Sequence, residues 1–234
     1  MIQIPYLGRD LSFPPIESAC ENGLLAYGGD LDPNRLLLAY KSGIFPWYNI
    51  DDPILWWAPD PRLVLFTDEF ILRKSLKKRM KHFEVKYDTA FTQVMQECGN
   101  IPRKKQAGTW IIPEVIEAYS TLNDMGYAHS VEAWQDGTLV GGLYGVVIGK
   151  VFFGESMFSK VSDASKVAFA TLIMKLKENG FKMIDCQIPS PHLKSLGARE
   201  ISREKFMNIL KEEIYKDFTP VMWKNVSQDC VTSV

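Results

Sequence analysis

AHSVEAWQDGTLVGGLYGVVIGKVFFGESMFSKVSDASK, residues 128–166, decides the fold. Three runs rich in β-branched and aromatic residues are separated by turns at Gln135-Asp136-Gly137 and at Gly149. That pattern predicts a meander of three strands. From Ala164 the apolar spacing becomes helical and runs to Asn179, where Gly180 ends it. FKMIDCQ, residues 181–187, then reads as one more strand.

Upstream of the meander, LVLF (63–66) predicts a strand, DEFILRKSLKKRMK (68–81) an amphipathic helix and FEVKYD (83–88) a strand with alternating Phe83, Val85 and Tyr87. Thr89–Cys98 and Pro113–Met125 read as helices, the second stopped by Gly126, and Ser202–Tyr215 as the last helix. Strands interspersed with helices in this order predict an α+β class domain, residues 63–234, with a mixed sheet flanked by helices. Residues 1–62 are rich in Pro, Gly and Trp and hold one clear helix, capped by Asp32 with Pro33 in its first turn and Leu36, Leu37 and Tyr40 as its apolar stripe. They are expected to form a small N-terminal domain. No Gly/Ser linker follows, so it should pack directly on the second domain.

The net charge is −1, so no global field marks a nucleic-acid partner, and any such partner needs a local patch. The patch exists: Arg73, Lys74, Lys77, Lys78, Arg79 and Lys81 lie within nine residues, with Arg103, Lys104 and Lys105 as a second cluster. Such a run reads either as a solvated face or as a phosphate-binding track. No apolar run is long enough to span a membrane and no signal peptide is apparent. Four scattered cysteines without a CxxC pair fit free thiols in a reducing cytoplasm, the expected location. His82, His129 and His192 are too sparse for a metal centre.

The strands of 152–166 and 183–187 deliver Glu155, Ser156, Asp185 and Gln187 to one end of the sheet. Period-2 alternation puts Asp185 and Gln187 on one strand face, where the carboxylate could orient the amide. On spacing alone the pair reads rather as satisfying backbone groups at a strand end. Ser156 has no histidine partner, which argues against a nucleophilic serine.

FFGESMFSKVSDASK (152–166), MIDCQ (183–187), GIFPWYNIDDPILWWAPDPR (43–62) and GTW (108–110) together resemble the leucyl/phenylalanyl-tRNA–protein transferase family, from about Phe13 to Leu210. The resemblance implies transfer of Leu or Phe, with Met as a further donor, from aminoacyl-tRNA to proteins beginning with Arg or Lys, marking them for degradation. It implies no cofactor, because an ester becomes an amide. It also implies a GNAT-like acyltransferase fold for the larger domain, which the element order resembles too. The glycine-rich turn that grips coenzyme A is replaced by SKVSDASK, with Asp163 where phosphates would sit. A coenzyme A-dependent N-acyltransferase and a non-catalytic tRNA-binding module are the rival readings.

Residue by residue, the family's D-x-Q motif falls on Asp185 and Gln187 as the catalytic pair, with Asp185 bonded to the Gln187 amide. Glu155 either recognises the acceptor's basic side chain or makes an ordinary sheet-end ion pair. Trp47 and Trp110 carry over as contacts to the terminal adenosine. Leu143, Phe152, Phe169, Leu172, Leu176 and Ile184 carry over as the aminoacyl pocket, although on helical spacing alone Phe169, Leu172 and Leu176 could be plain core. Arg73, Lys74, Lys77, Lys78 and Lys81 would follow the tRNA acceptor stem.

Overall fold

A computed structural model describes residues 4–101, 109–217 and 223. The cluster Arg103, Lys104 and Lys105 lies outside the described residues.

The first part of the chain makes more strand than its sequence suggests. Strands β1 (Tyr6–Leu7), β2 (Leu24–Gly28), β3 (Phe45–Pro46) and β4 (Leu55–Trp57) form a sheet in the order β1-β2-β4-β3. Each is too short to show a period. Helix α1 (Pro33–Lys41) lies between β2 and β3 and begins as its sequence predicts, with the Asp32 carboxylate accepting from the Asn34 N–H at 2.8 Å. Its apolar stripe, Leu36, Leu37 and Tyr40, is buried.

The chain then enters the larger sheet with β5 (Arg62–Phe66), followed by α2 (Lys74–Met80), β6 (Glu84–Tyr87), α3 (Phe91–Asn100) and α4 (Pro113–Asp124). The meander β7 (Ala128–Gln135), β8 (Thr138–Ile148) and β9 (Val151–Ser159) follows, then α5 (Ala164–Glu178), β10 (Met183–Gln187), α6 (Pro191–Ser195), β11 (Arg199–Ile201) and α7 (Arg203–Glu213). The strand order is β11-β5-β10-β9-β8-β7-β6. Among the described residues of this sheet only β9 and β10 run parallel, so the sheet is mixed.

Three expectations change in detail. The helix read across 68–81 begins only at Lys74. Thr67–Glu69 is a 3-10 turn and Arg73 an extended residue before the helix. Phe70 takes an extended backbone after the turn, which separates Asp68 and Glu69 from the helix. Strand β11 and helix α6 were not legible. Elsewhere in the larger sheet and its helices the elements match, including the Asp136-Gly137 turn, where both residues take positive φ as a two-residue hairpin requires.

Two apolar cores lie against the larger sheet. One holds Tyr40, Phe45 and Trp56 from the first part of the chain together with Phe91, Tyr119, Tyr144 and Phe153. The other packs α5, through Phe169, Leu172, Ile173 and Leu176, on Leu143, Phe152 and Ile184.

Candidate functional site

The site forms where the parallel pair comes apart. β9 and β10 pair over three residues each, Val151 to Phe153 with Met183 to Asp185, and then diverge. Both strands are bulged at this level. In β9 the register jumps so that Tyr144 faces Ser156 and Gly145 faces Gly154, leaving Glu155 as the extra residue. In β10, Asp185 faces Val64 and Gln187 faces Leu63, leaving Cys186 as the extra residue. Bulges re-aim side chains. These two turn Glu155 and Gln187 toward each other, with the Gln187 Nε2 donating to Glu155 Oε1 at 2.8 Å.

The gap between the strands is a cavity of about 320 Å³, at the small end of ligand pockets, which run to roughly 300–1,000 Å³. Its walls come from both cores, so it passes from one face of the sheet toward the other. On one side stand Trp47, Trp110, Tyr144 and Glu155, and on the other Leu143, Phe152, Phe169 and Ile184. Ser190, His192 and Leu193, at the start of α6, complete the rim.

Glu155 is the electrostatic centre. Its Oε1 also accepts from Tyr40 Oη at 2.8 Å, and the Tyr119 hydroxyl has one proton to give, either to the Tyr40 oxygen that it touches or to Glu155 Oε2 at 3.3 Å. Among the described residues Glu155 forms no ion pair, which removes the sheet-end salt bridge as its role. Burial raises its pKa to about 7 against the opposing pull of the Tyr40 hydrogen bond, and the nearby Asp185 charge adds to the rise. The same burial, with the Glu155 charge, holds Tyr40 and Tyr119 well above the usual phenol range.

Asp185 requires a correction. Its side chain is fully buried and does not line the cavity. Asp185 does not bond the Gln187 side chain. Its carboxylate takes a two-pronged contact from Arg62, Nε to Oδ1 at 2.9 Å and Nη2 to Oδ2 at 2.7 Å. Asp185 Oδ1 also accepts the Gln187 backbone N–H at 2.9 Å. The alternation argument fails because Gln187 has a φ of 63°, left-handed for a non-glycine residue, which breaks the period. Strained backbone of this kind gathers at functional sites. Asp185 acts on Gln187 through the main chain, and Arg62, sandwiched between the Phe45 and Phe206 rings at 4.7 Å from each, holds Asp185.

Leu172 and Leu176 also differ from expectation. Both are fully buried in the α5 core and do not reach the cavity wall. Leu143, Phe152, Phe169, Ile184, Trp47, Trp110, Glu155 and Gln187 do line it. Tyr40, Tyr119 and Arg62 were missed. Tyr40 read only as part of an apolar stripe, and an arginine opening an apolar strand in APDPRLVLF was the available signal for Arg62.

Arg73, Lys74, Lys77, Lys78 and Lys81 are all exposed, and no residue of α2 is buried. Helix α6 lies between this surface and the cavity. His192 and Leu193 border the cavity, while Ser195 and Leu196 border a second cleft shared with Arg73, Ser75, Arg79, Asp163 and Lys166. Among the described residues no helix is long and apolar enough to cross a membrane, and no cluster of His, Cys, Asp and Glu is placed to hold a metal.

Comparison with known proteins gives a consistent result. Residues 64–211 match the model of the leucyl/phenylalanyl-tRNA protein transferase family, and residues 29–60 match the model of that family's N-terminal domain. A leucyl/phenylalanyl-tRNA–protein transferase of Flavobacterium johnsoniae is 59% identical over 89% of this chain and 99% of its own length. Those of Nitrosospira multiformis and Sulfurimonas denitrificans are each 57% identical, over 89% and 87% of this chain and 91% and 90% of their own. Among solved structures, L-PGS from Bacillus licheniformis aligns at a TM-score of 0.36 and 13% identity, over 66% of this chain and 50% of that one, too distant to bear on the site.

Proposed function

The chain belongs to the leucyl/phenylalanyl-tRNA–protein transferase family, and we propose that it works through Glu155 and Gln187, facing each other across the gap between β9 and β10. It transfers Leu or Phe from aminoacyl-tRNA to protein N-termini. The acceptor's α-amine attacks the ester carbonyl, forming the amide C–N bond and breaking the C–O bond to the terminal ribose. The amine gives up one proton, and the departing ribose oxygen takes one.

The observation that carries the assignment is the bonding of Glu155. A primary amide is a very weak base, so Gln187 orients the amine through its Oε1 while its Nε2 is held by Glu155. Glu155, with a pKa of about 7, takes the proton, which is the range in which a general base works best at neutral pH. Among the described residues its Oε2 accepts at most the longer Tyr119 bond and keeps a lone pair for the purpose. Once protonated, the carboxyl returns the proton to the ribose oxygen. Asp185 and Arg62 are positioning residues.

Trp47 and Trp110 offer the terminal adenosine its aromatic faces, as unstacked bases usually require. Leu143, Phe152, Phe169 and Ile184 take the donor side chain. Acceptors beginning with Arg or Lys are the expected partners. The meander, the following helix and the diverging parallel strand support a GNAT-like larger domain, with its boundary near Arg62. The start of α5 carries the Asp163 carboxylate, which accepts from Lys166 Nζ at 2.8 Å, and this disfavours a coenzyme A pyrophosphate there. Labelled leucine supplied as Leu-tRNA is expected to appear on a peptide beginning with Arg, and not on the same peptide acetylated at its N-terminus. Transfer to neither peptide would contradict the assignment.

The basic helix is proposed as the track for the acceptor stem, reached from the cavity across α6. Four cations on a helix of seven residues repel one another, a cost that phosphate binding would offset. Replacing Lys74, Lys77, Lys78 and Lys81 with glutamine is expected to weaken tRNA binding and flatten its salt dependence, by roughly 0.7–0.9 in slope for each phosphate that a lysine no longer neutralises. Transfer from an aminoacylated adenosine, which lacks the stem, should hardly change. Equal loss with both donors would place these lysines outside tRNA binding.

A further inference from the structure

We propose that Trp223 sets the depth of the apolar pocket, and with it the choice between donor side chains, by fixing the ring of Phe152. The proposal rests on the reading of the cavity as the aminoacyl site.

Trp223 lies beyond residue 211, where the family model's match ends, and it does not line the cavity. It is nevertheless only 4% exposed and belongs to the core that includes Leu143, Phe152 and Phe169. Its indole is boxed by three rings. His129 lies parallel to it at 4.2 Å with an interplanar angle of 4°, Tyr87 meets it edge-on at 6.1 Å, and Phe152 stacks at 6.1 Å and 29°. Two of those rings are fastened in turn. His129 Nδ1 is 2.7 Å from Asp88 Oδ2 and its Nε2 is 3.1 Å from the Gly126 carbonyl oxygen. Tyr87 carries the Lys175 ammonium 3.5 Å above its ring centre.

Phe152 is therefore pressed from the far side of the pocket by a rigid stack. It has no room to retreat toward β8 either. Its ring lies against Gly145, where an added Cβ would come within 2.6 Å of it. Trp223, which packs on the Phe152 ring without lining the cavity, fills a space into which that ring could withdraw. A core side chain relaxes only partly into a void left by its neighbour, and the relaxation changes the wall on the other side. Removing the indole lets the Phe152 ring move back, and the deepened pocket accommodates Phe better and grips Leu less well.

The test compares single-turnover kcat/KM for Phe-tRNA and Leu-tRNA with an Arg-initiated peptide. In Trp223→Ala the Phe/Leu ratio is expected to rise about five- to tenfold, within the range of pocket-volume discrimination. Trp223→Phe, which keeps an aromatic ring in the stack, should return the ratio to within about twofold of wild type. Trp223→Leu serves in place of Trp223→Ala if the alanine variant does not fold. In a Phe152→Leu background, Trp223→Ala should leave the ratio unmoved. Parallel loss with both donors at a constant ratio in the Trp223 variants, while Phe152→Leu shifts the ratio, would make Trp223 purely structural and overturn the proposal. A ratio indifferent to Phe152→Leu itself would instead overturn the reading of the cavity.

Discussion

Glu155→Gln is expected to slow single-turnover transfer by about 10²–10⁴-fold, the usual worth of a positioned proton acceptor. The same variant should be at least as stable as the wild type at pH 8. Glu155 is an acid whose pKa is raised by folding, from an ordinary 4.5 to about 7. Its contribution to stability is therefore fully present below about pH 4.5 and is lost as pH rises through about 7. Above that, the folded protein carries a charge it would rather not bury, and glutamine removes it without changing the side chain's size. Melting curves across pH should show the variant's advantage shrinking as pH falls toward 4.5. A slow, destabilised variant would instead mark Glu155 as a structural group.

The largest loss of stability should come from the Arg62–Asp185 pair. Both side chains are at most 1% exposed, and they join residues 123 positions apart. Removing one partner leaves the other charge buried alone, which costs roughly 3–5 kcal/mol. Arg62→Met also loses the cation between the Phe45 and Phe206 rings. Asp185→Asn leaves Arg62 short of an anion and weakens the hydrogen bond that holds the Gln187 backbone in its left-handed conformation. Urea unfolding should show a lower midpoint at unchanged slope for each variant. The double variant Arg62→Met/Asp185→Asn should cost clearly less than the two singles together, because neither charge is then stranded. A loss below about 1 kcal/mol for Arg62→Met would be the value of a surface pair and would contradict this account.

Much of the frame was legible because it rests on local rules. Asp32 and Pro33 open α1, Asp136-Gly137 turns the hairpin, Gly180 ends α5, and the meander shows its strands in its composition. The site was legible as a set of residues and misread as a geometry. Strand alternation predicts that Asp185 faces Gln187, but a bulge at Cys186 and a left-handed Gln187 redirect the amide to Glu155. Bulges leave no periodic trace, because they are set by the partner strand. Leu172 and Leu176 share a helical face with Phe169, yet only Phe169 reaches the cavity. Helical spacing gives a face and says nothing of depth along it. Tyr40, Tyr119 and Arg62 were hidden because their partners are distant in sequence: Tyr40 meets Glu155 across 115 residues.

The central claim is that Glu155 takes the amine's proton, and the pH dependence of kcat/KM below pH 7 tests it most directly. Productive encounter then needs two deprotonated groups, the acceptor's α-amine, with an ordinary pKa of about 7.7–8.0, and Glu155, at about 7. On the acid side, log kcat/KM should rise with a slope approaching two in the wild type and with a slope of one in Glu155→Gln. A slope of one in both proteins would mean that the amine's proton leaves by another route, and would contradict the account.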